Sequence, residues 1–117
     1  MNRDQLQQRT KQFALNIIQL TESLTSTRAG NVLGKQLLRS ATSVGANYRS
    51  ACRARSRADF ISKINIAEEK ADESMYWLEL ITESKLMKME RTSALLQEAN
   101  ELTAIFTASG KTAKWNK

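Results

Sequence analysis

From Gln36 to Ile81 apolar residues recur at helical spacing twice over, first on a basic background and then on an acidic one. This stretch restricts the fold to packed helices, because neither half alternates as a strand would. In the first half, Leu33, Leu37, Ala41, Val44, Tyr48 and Ala51 fall within roughly 80° of one another on a helical wheel. They form a core-facing stripe. Gly34, Ala41, Gly45 and Cys52 run beside it, spaced so that another helix backbone can approach closely. The chain has no proline and only four glycines, so nothing obliges either helix to break early. A tight turn near Ala54 to Ser56 joins them, with Ser56 and Asp59 spaced as a helix cap.

The second half places Phe60, Ile64, Ala67, Ala71, Met75 and Leu78 on one side of its helix. Ile66, Trp77 and Leu80 lie about 120° to 130° away by the same geometry. A surface helix of a small monomer needs one apolar stripe. The second predicts an oligomer interface made by Ile66, Glu73, Trp77 and Leu80, unless a fourth helix covers it. Glu73 sits inside this stripe and needs an arginine of the basic ridge, from its own or another subunit, with Arg39 as the candidate, unless it reaches solvent at the stripe's edge.

Before this hairpin, Leu6, Thr10, Phe13, Ile17, Leu20 and Leu24 repeat as one face of a bundle helix, with Asp4 near its start. Thr25 to Asn31, which includes Gly30, reads as the first connection. After the hairpin, Glu83 to Met89 reads as a connection without clear turn chemistry, and the last helix starts near Thr92 or Ser93. Leu95, Leu96, Ala99, Leu102, Ile105 and Phe106 give it an apolar face, and Gly110 reads as its stop. The expectation is an all-α, antiparallel up-and-down four-helix bundle over residues 1–110, followed by a basic tail at 111–117.

The composition removes most chemistry. There is no histidine, the usual general base and commonest metal ligand, and a lone Cys52 rules out structural zinc in practice. Glu68, Glu69, Asp72 and Glu73 crowd two turns but lack the Glu-x-x-His partner of carboxylate bundle sites. No phosphate loop or nucleophile elbow is present. The chain is therefore expected to be no enzyme, with no metal and no cofactor. A single cysteine, no leader and no membrane-length apolar run point to the cytoplasm.

Charge carries the remaining signal. The net charge is +6, and residues 28–63 hold eight Lys or Arg against Asp59 alone, whereas residues 64–90 hold seven acids against three lysines. Arg39, Arg49 and Arg53 form a ridge that continues through Arg55 and Arg57 to Lys63. Such a ridge meets the phosphates of RNA or another nucleic acid, or pairs with acids of a neighbouring subunit. Too few aromatics remain outside the core for a base-stacking platform, so nucleic-acid binding here would be backbone-led and salt-sensitive.

The segments QLLRSATSVGANYRSACRARS (Gln36 to Ser56) and ADFISKINIAEEKADESMYWLELI (Ala58 to Ile81) resemble the four-helix bundle family of bacterial 23S rRNA intervening-sequence proteins. SATSVGAN and DESMYWLEL are the specific parts. The resemblance implies an antiparallel bundle that assembles as a homopentamer, with no established enzymatic activity. A related branch is the accessory variability determinant of diversity-generating retroelements, which implies a reverse transcriptase and its RNA as partners. Ser50 departs from the pattern, in which an acid commonly follows the NYR segment, and leaves the ridge more basic. The functional expectation is a non-enzymatic oligomer that binds RNA or structured nucleic acid, RNA or DNA, through phosphate contacts of its basic surface. The alternative is a structural adaptor that docks a protein such as a reverse transcriptase.

Overall fold

In the computed structural model, which describes residues 1–115, four helices follow one another: α1 (Arg3–Glu22), α2 (Arg28–Cys52), α3 (Arg57–Glu83) and α4 (Met89–Trp115). The starts of α1, α2 and α3 are each set by a side chain. Asn2 accepts the Gln5 amide while the Gln5 side chain returns to the Asn2 amide, a full capping box. Asp4 lies in the first turn and is not the cap. Thr27 caps α2 by accepting from the Gly30 amide, so Gly30 belongs to the first turn of α2 and the connection is shorter than its sequence suggests. Ser56 caps α3 through the Asp59 amide, as its position predicts.

The third connection turns on Lys85, whose φ of 64° is left-handed. Leu86 donates to the Ile81 carbonyl and Lys85 to that of Thr82, the paired bonds of a Schellman ending. Lysine in the place usually held by glycine gives no turn signal in the sequence. α4 then begins at Met89, earlier than Thr92 or Ser93, and continues through Gly110 to Trp115. Gly110 is no stop because it faces α3: a Cβ there would lie 3.5 Å from Asn65 Oδ1 and 3.6 Å from Ile64 Cγ2. Most of the expected basic tail is thus helical, and residues 116–117 lie outside the described part.

Leu6, Phe13, Ile17, Leu37, Val44, Ile64, Leu78, Leu102 and Phe106 fill the core, with Ala41, Ala67, Ala71 and Ala99 where helices come closest. Thr10 occupies the fourth place of the α1 stripe and is 1% exposed. Its hydroxyl donates to the Gln7 carbonyl, so no donor is stranded. Gly45 lets α1 settle on α2, since a Cβ there would stand 3.1 Å from Thr10 Oγ1. The small-residue stripe therefore serves the same chain, with Gly45 facing Thr10 of α1 and Gly34 facing Leu24 in the connection after it.

Sequential helices pack along their lengths and give a rod of 49 × 20 × 20 Å. The fourth seam is different. α1 and α4 touch sparsely, and Arg9 bridges them, with Nε 2.7 Å from Glu98 Oε2, Nη2 2.6 Å from Glu98 Oε1 and Nη2 2.9 Å from Glu101 Oε1. Glu98 foremost holds the guanidinium above its ordinary pKa.

Candidate nucleic-acid interface

The outward stripe of α2 is polar because its opposite face is committed to the core, and Arg39, Arg49 and Arg53 all lie exposed on it. Arg55 is exposed in the turn and Arg57 at the first residue of α3, while Lys63 is half-buried two turns later. The structure gathers five of these six. Arg39 stands about 15 Å from Arg49 along the axis at the rise of an α-helix. Among the described residues, the ion pairs are Arg9 with Glu98 and Glu101 and Lys70 with Glu73, so no ridge cation is neutralised within the chain.

Up-and-down topology adds cations that a linear reading misses. The start of α1 lies beside the end of α2, where Arg3 is close enough to act on the Tyr48 phenol. The end of α4 lies beside the start of α3, as the Gly110 neighbours show. Arg3, Lys111 and Lys114 thus join the pole that holds Arg49, Arg53, Arg55, Arg57 and Lys63, against Asp4 and Asp59. At the opposite pole, Glu22, Glu79, Glu83 and Glu90 balance Arg28, Lys85, Lys88 and Arg91. Helix directions alternate, so the macrodipoles largely cancel at both ends and the asymmetry belongs to side chains. The signal that would have found the missed residues is the folding of the charge pattern onto antiparallel helices.

The second stripe lies along the α2–α3 groove. Glu73 Oε1 accepts from Ser40 Oγ at 3.4 Å and Oε2 pairs with Lys70 Nζ at 3.4 Å. Within the chain, then, Arg39 is not the partner of Glu73: Ser40 faces α3, whereas Arg39, a further 100° round the helix, points to solvent. Ile66, Trp77 and Leu80 are each half-buried, and Trp77 packs on the core edge with Tyr76 set edge-on at 5.2 Å. Trp77 Nε1 is buried without a hydrogen-bond partner, alone in this among the described side chains.

The carboxylate run of α3 does not converge. Glu68 accepts the Thr107 hydroxyl at 2.7 Å, Glu73 is engaged as above, and Glu69 and Asp72 face solvent. No group of three metal-ligating side chains forms among the described residues. Burial, and then the neighbouring Cys52 thiol, push the Tyr48 phenol up to about 12. No helix of the described residues is long and apolar enough to cross a membrane.

Four antiparallel helices with a core of small and branched side chains and one cationic end define a small all-α bundle protein. The profile of the 23S rRNA-intervening sequence protein family matches residues 3–108, and the chain belongs to that family. It is similar to a crystal structure of a protein of unknown function from the S23 ribosomal protein family of Bacteroides thetaiotaomicron. The two share 36% identity over 95% of this chain and 99% of that one, with a TM-score of 0.87. No protein of curated function matches the chain.

Proposed function

We propose that the protein is a non-enzymatic, oligomeric bundle whose cationic pole binds RNA through its phosphates. The observation that carries this is the set of exposed arginines at 49, 53, 55 and 57, which have no acid within ion-pair distance among the described residues. Arg49 and Arg53 rise about 6 Å apart on one face, a span of roughly two phosphates along one strand of a duplex. Guanidinium groups suit such contacts because they are permanently charged and offer a planar fork of donors. The test is a titration of labelled RNA at rising salt. Log affinity should fall linearly with log salt, with a slope of about 0.7 to 0.9 per phosphate engaged. Absence of binding at low salt, or affinity indifferent to salt, refutes the reading.

One observation favours a second reading, that of an adaptor docking a protein such as a reverse transcriptase. Half-buried Ile66, Trp77 and Leu80 lie beside an exposed Tyr76 that meets Trp77 edge-on. A contacting chain would cover this apolar edge. The contact between copies of this chain proposed for Ile66, Glu73, Trp77 and Leu80, pentameric by family resemblance, uses the same face. Light scattering reads the oligomer directly: a monomeric mass at micromolar concentration removes it. Capture of one protein after nuclease treatment, unaffected by Arg49→Glu with Arg53→Glu, would favour the adaptor over RNA binding.

A further inference from the structure

Two cavities of about 540 and 500 Å³ lie along the α1–α4 seam, where Arg9 is already engaged by Glu98 and Glu101. A third, of about 320 Å³, opens between α1 and α2 and has a different chemistry. Its floor is the close approach of Gly45 to Thr10. Lys11, Gln7 and Gln8 line it from α1, and Arg49 from α2. No carboxylate lines it. The Thr10 and Thr42 hydroxyls donate back to their own helices, whereas among the described residues neither cation of the cleft is ion-paired. Two cations without a competing carboxylate, around a concavity at the small end of ligand-sized pockets, suit a compact anion.

We propose that this cleft is a phosphate seat that takes one phosphodiester group of an RNA backbone, with Lys11 and Arg49 as its cations. The proposal rests on the RNA-binding reading above and extends it to α1, outside the ridge. Arg49 belongs to both surfaces, so a strand seated at the cleft meets Arg53 one helical turn on. The glycine at 45 lets α1 come close at the seat, where an added Cβ would stand 3.1 Å from Thr10 Oγ1. Lys11 is the distinguishing residue, since it belongs to neither the ridge nor the turn.

The test uses the full chain, a short labelled oligoribonucleotide and inorganic phosphate. Lys11→Gln should reduce the slope of log affinity against log salt by about 0.7 to 1, the signature of one lost phosphate contact. Ala46→Glu, at an exposed position of the cleft, should weaken RNA binding roughly tenfold or more by setting a carboxylate against the anion. Lys88→Gln, at the opposite pole, should leave the slope unchanged. Amide resonances of Gly45 and Ala46 should shift saturably with RNA in the wild type and not in Ala46→Glu. If Lys11→Gln and Ala46→Glu bind as wild type while Arg53→Glu with Arg57→Glu does not, the cleft is no seat and the RNA reading stands. If RNA fails to bind the wild type, both fall, and shifts of Gly45 and Ala46 with inorganic phosphate alone would mark a seat for the free ion, overturning the backbone assignment.

Discussion

Replacing Arg9 with glutamine tests what closes the bundle. α1 and α4 share few contacts, so the guanidinium bridge carries most of that seam, in contrast to α2–α3 and α3–α4, which are packed along their lengths. Exposed ion pairs contribute about 0.2 to 1 kcal/mol each. The Arg9–Glu98 pair is bidentate, with side chains 27% and 25% exposed, which puts it at the upper end of that range. Glu101 is 47% exposed, so after screening its share is small. The expected loss for Arg9→Gln is about 1 to 1.5 kcal/mol, which lowers Tm by roughly 5 °C in a chain of this size. Urea unfolding followed by circular dichroism at fixed protein concentration measures it. Raising salt from 0.05 to 1 M contracts the Debye length from over 10 Å to about 3 Å and should shrink the difference to under about 0.5 kcal/mol. A double-mutant cycle with Glu98→Gln should recover most of the effect as coupling, while Glu101→Gln should recover little. A loss that is zero at low salt, or equal at both salts, refutes the claim that electrostatics holds this seam.

Gly110→Ala should stabilise the protein by about 0.5 to 1 kcal/mol, because the residue is interior to α4 and the added methyl meets α3 at ordinary contact distance; thermal melts check the sign. Lys85→Gly should stabilise by about 1 kcal/mol by relieving a left-handed lysine at the α3–α4 turn, and a lower urea midpoint in the variant would contradict this. Tyr48 sets an alkaline limit. Its phenol titrates near 10 when unfolded and is pushed up to about 12 in the fold, so the native state holds the proton longer. Its contribution is intact below pH 10 and is lost as pH rises toward 12, by about 2 to 3 kcal/mol in all. Tyr48→Phe should flatten the pH dependence of stability in that window relative to wild type.

The helices were legible where one residue type does one job. The α1 stripe from Leu6 to Leu20 and the Ser56 cap stand as their spacing indicates, because burial and capping are local to a turn. The ends were less legible. Lys85 occupies a glycine's conformation without a glycine, and Gly110 is kept in helix by α3 packing, which propensity does not register. Sequence also could not assign a partner to Glu73, since the choice between Ser40 and Arg39 is a matter of 100° of rotation on α2. The arginines at 49 to 57 were visible as a run, but Arg3, Lys11, Lys111 and Lys114 lie far from it in sequence and reach it only through antiparallel packing.

The charge distribution bears on function because stability does not account for it. Among the described residues, eight cations against two acids at one pole repel one another and make no ion pair, whereas the opposite pole has its charges balanced. Added salt screens that repulsion while it weakens the Arg9 bridge, so the two ends of the electrostatic account respond to ionic strength with opposite signs. A polyanion bound at the pole relieves the repulsion and stabilises the fold by mass action, by about 2.7 kcal/mol at a hundredfold excess over Kd. Neutral crowding agents should not reproduce that gain. The described pole is self-repelling in isolation, and the proposed polyanion complex would relieve that repulsion, which is how the sequence asymmetry would connect to binding.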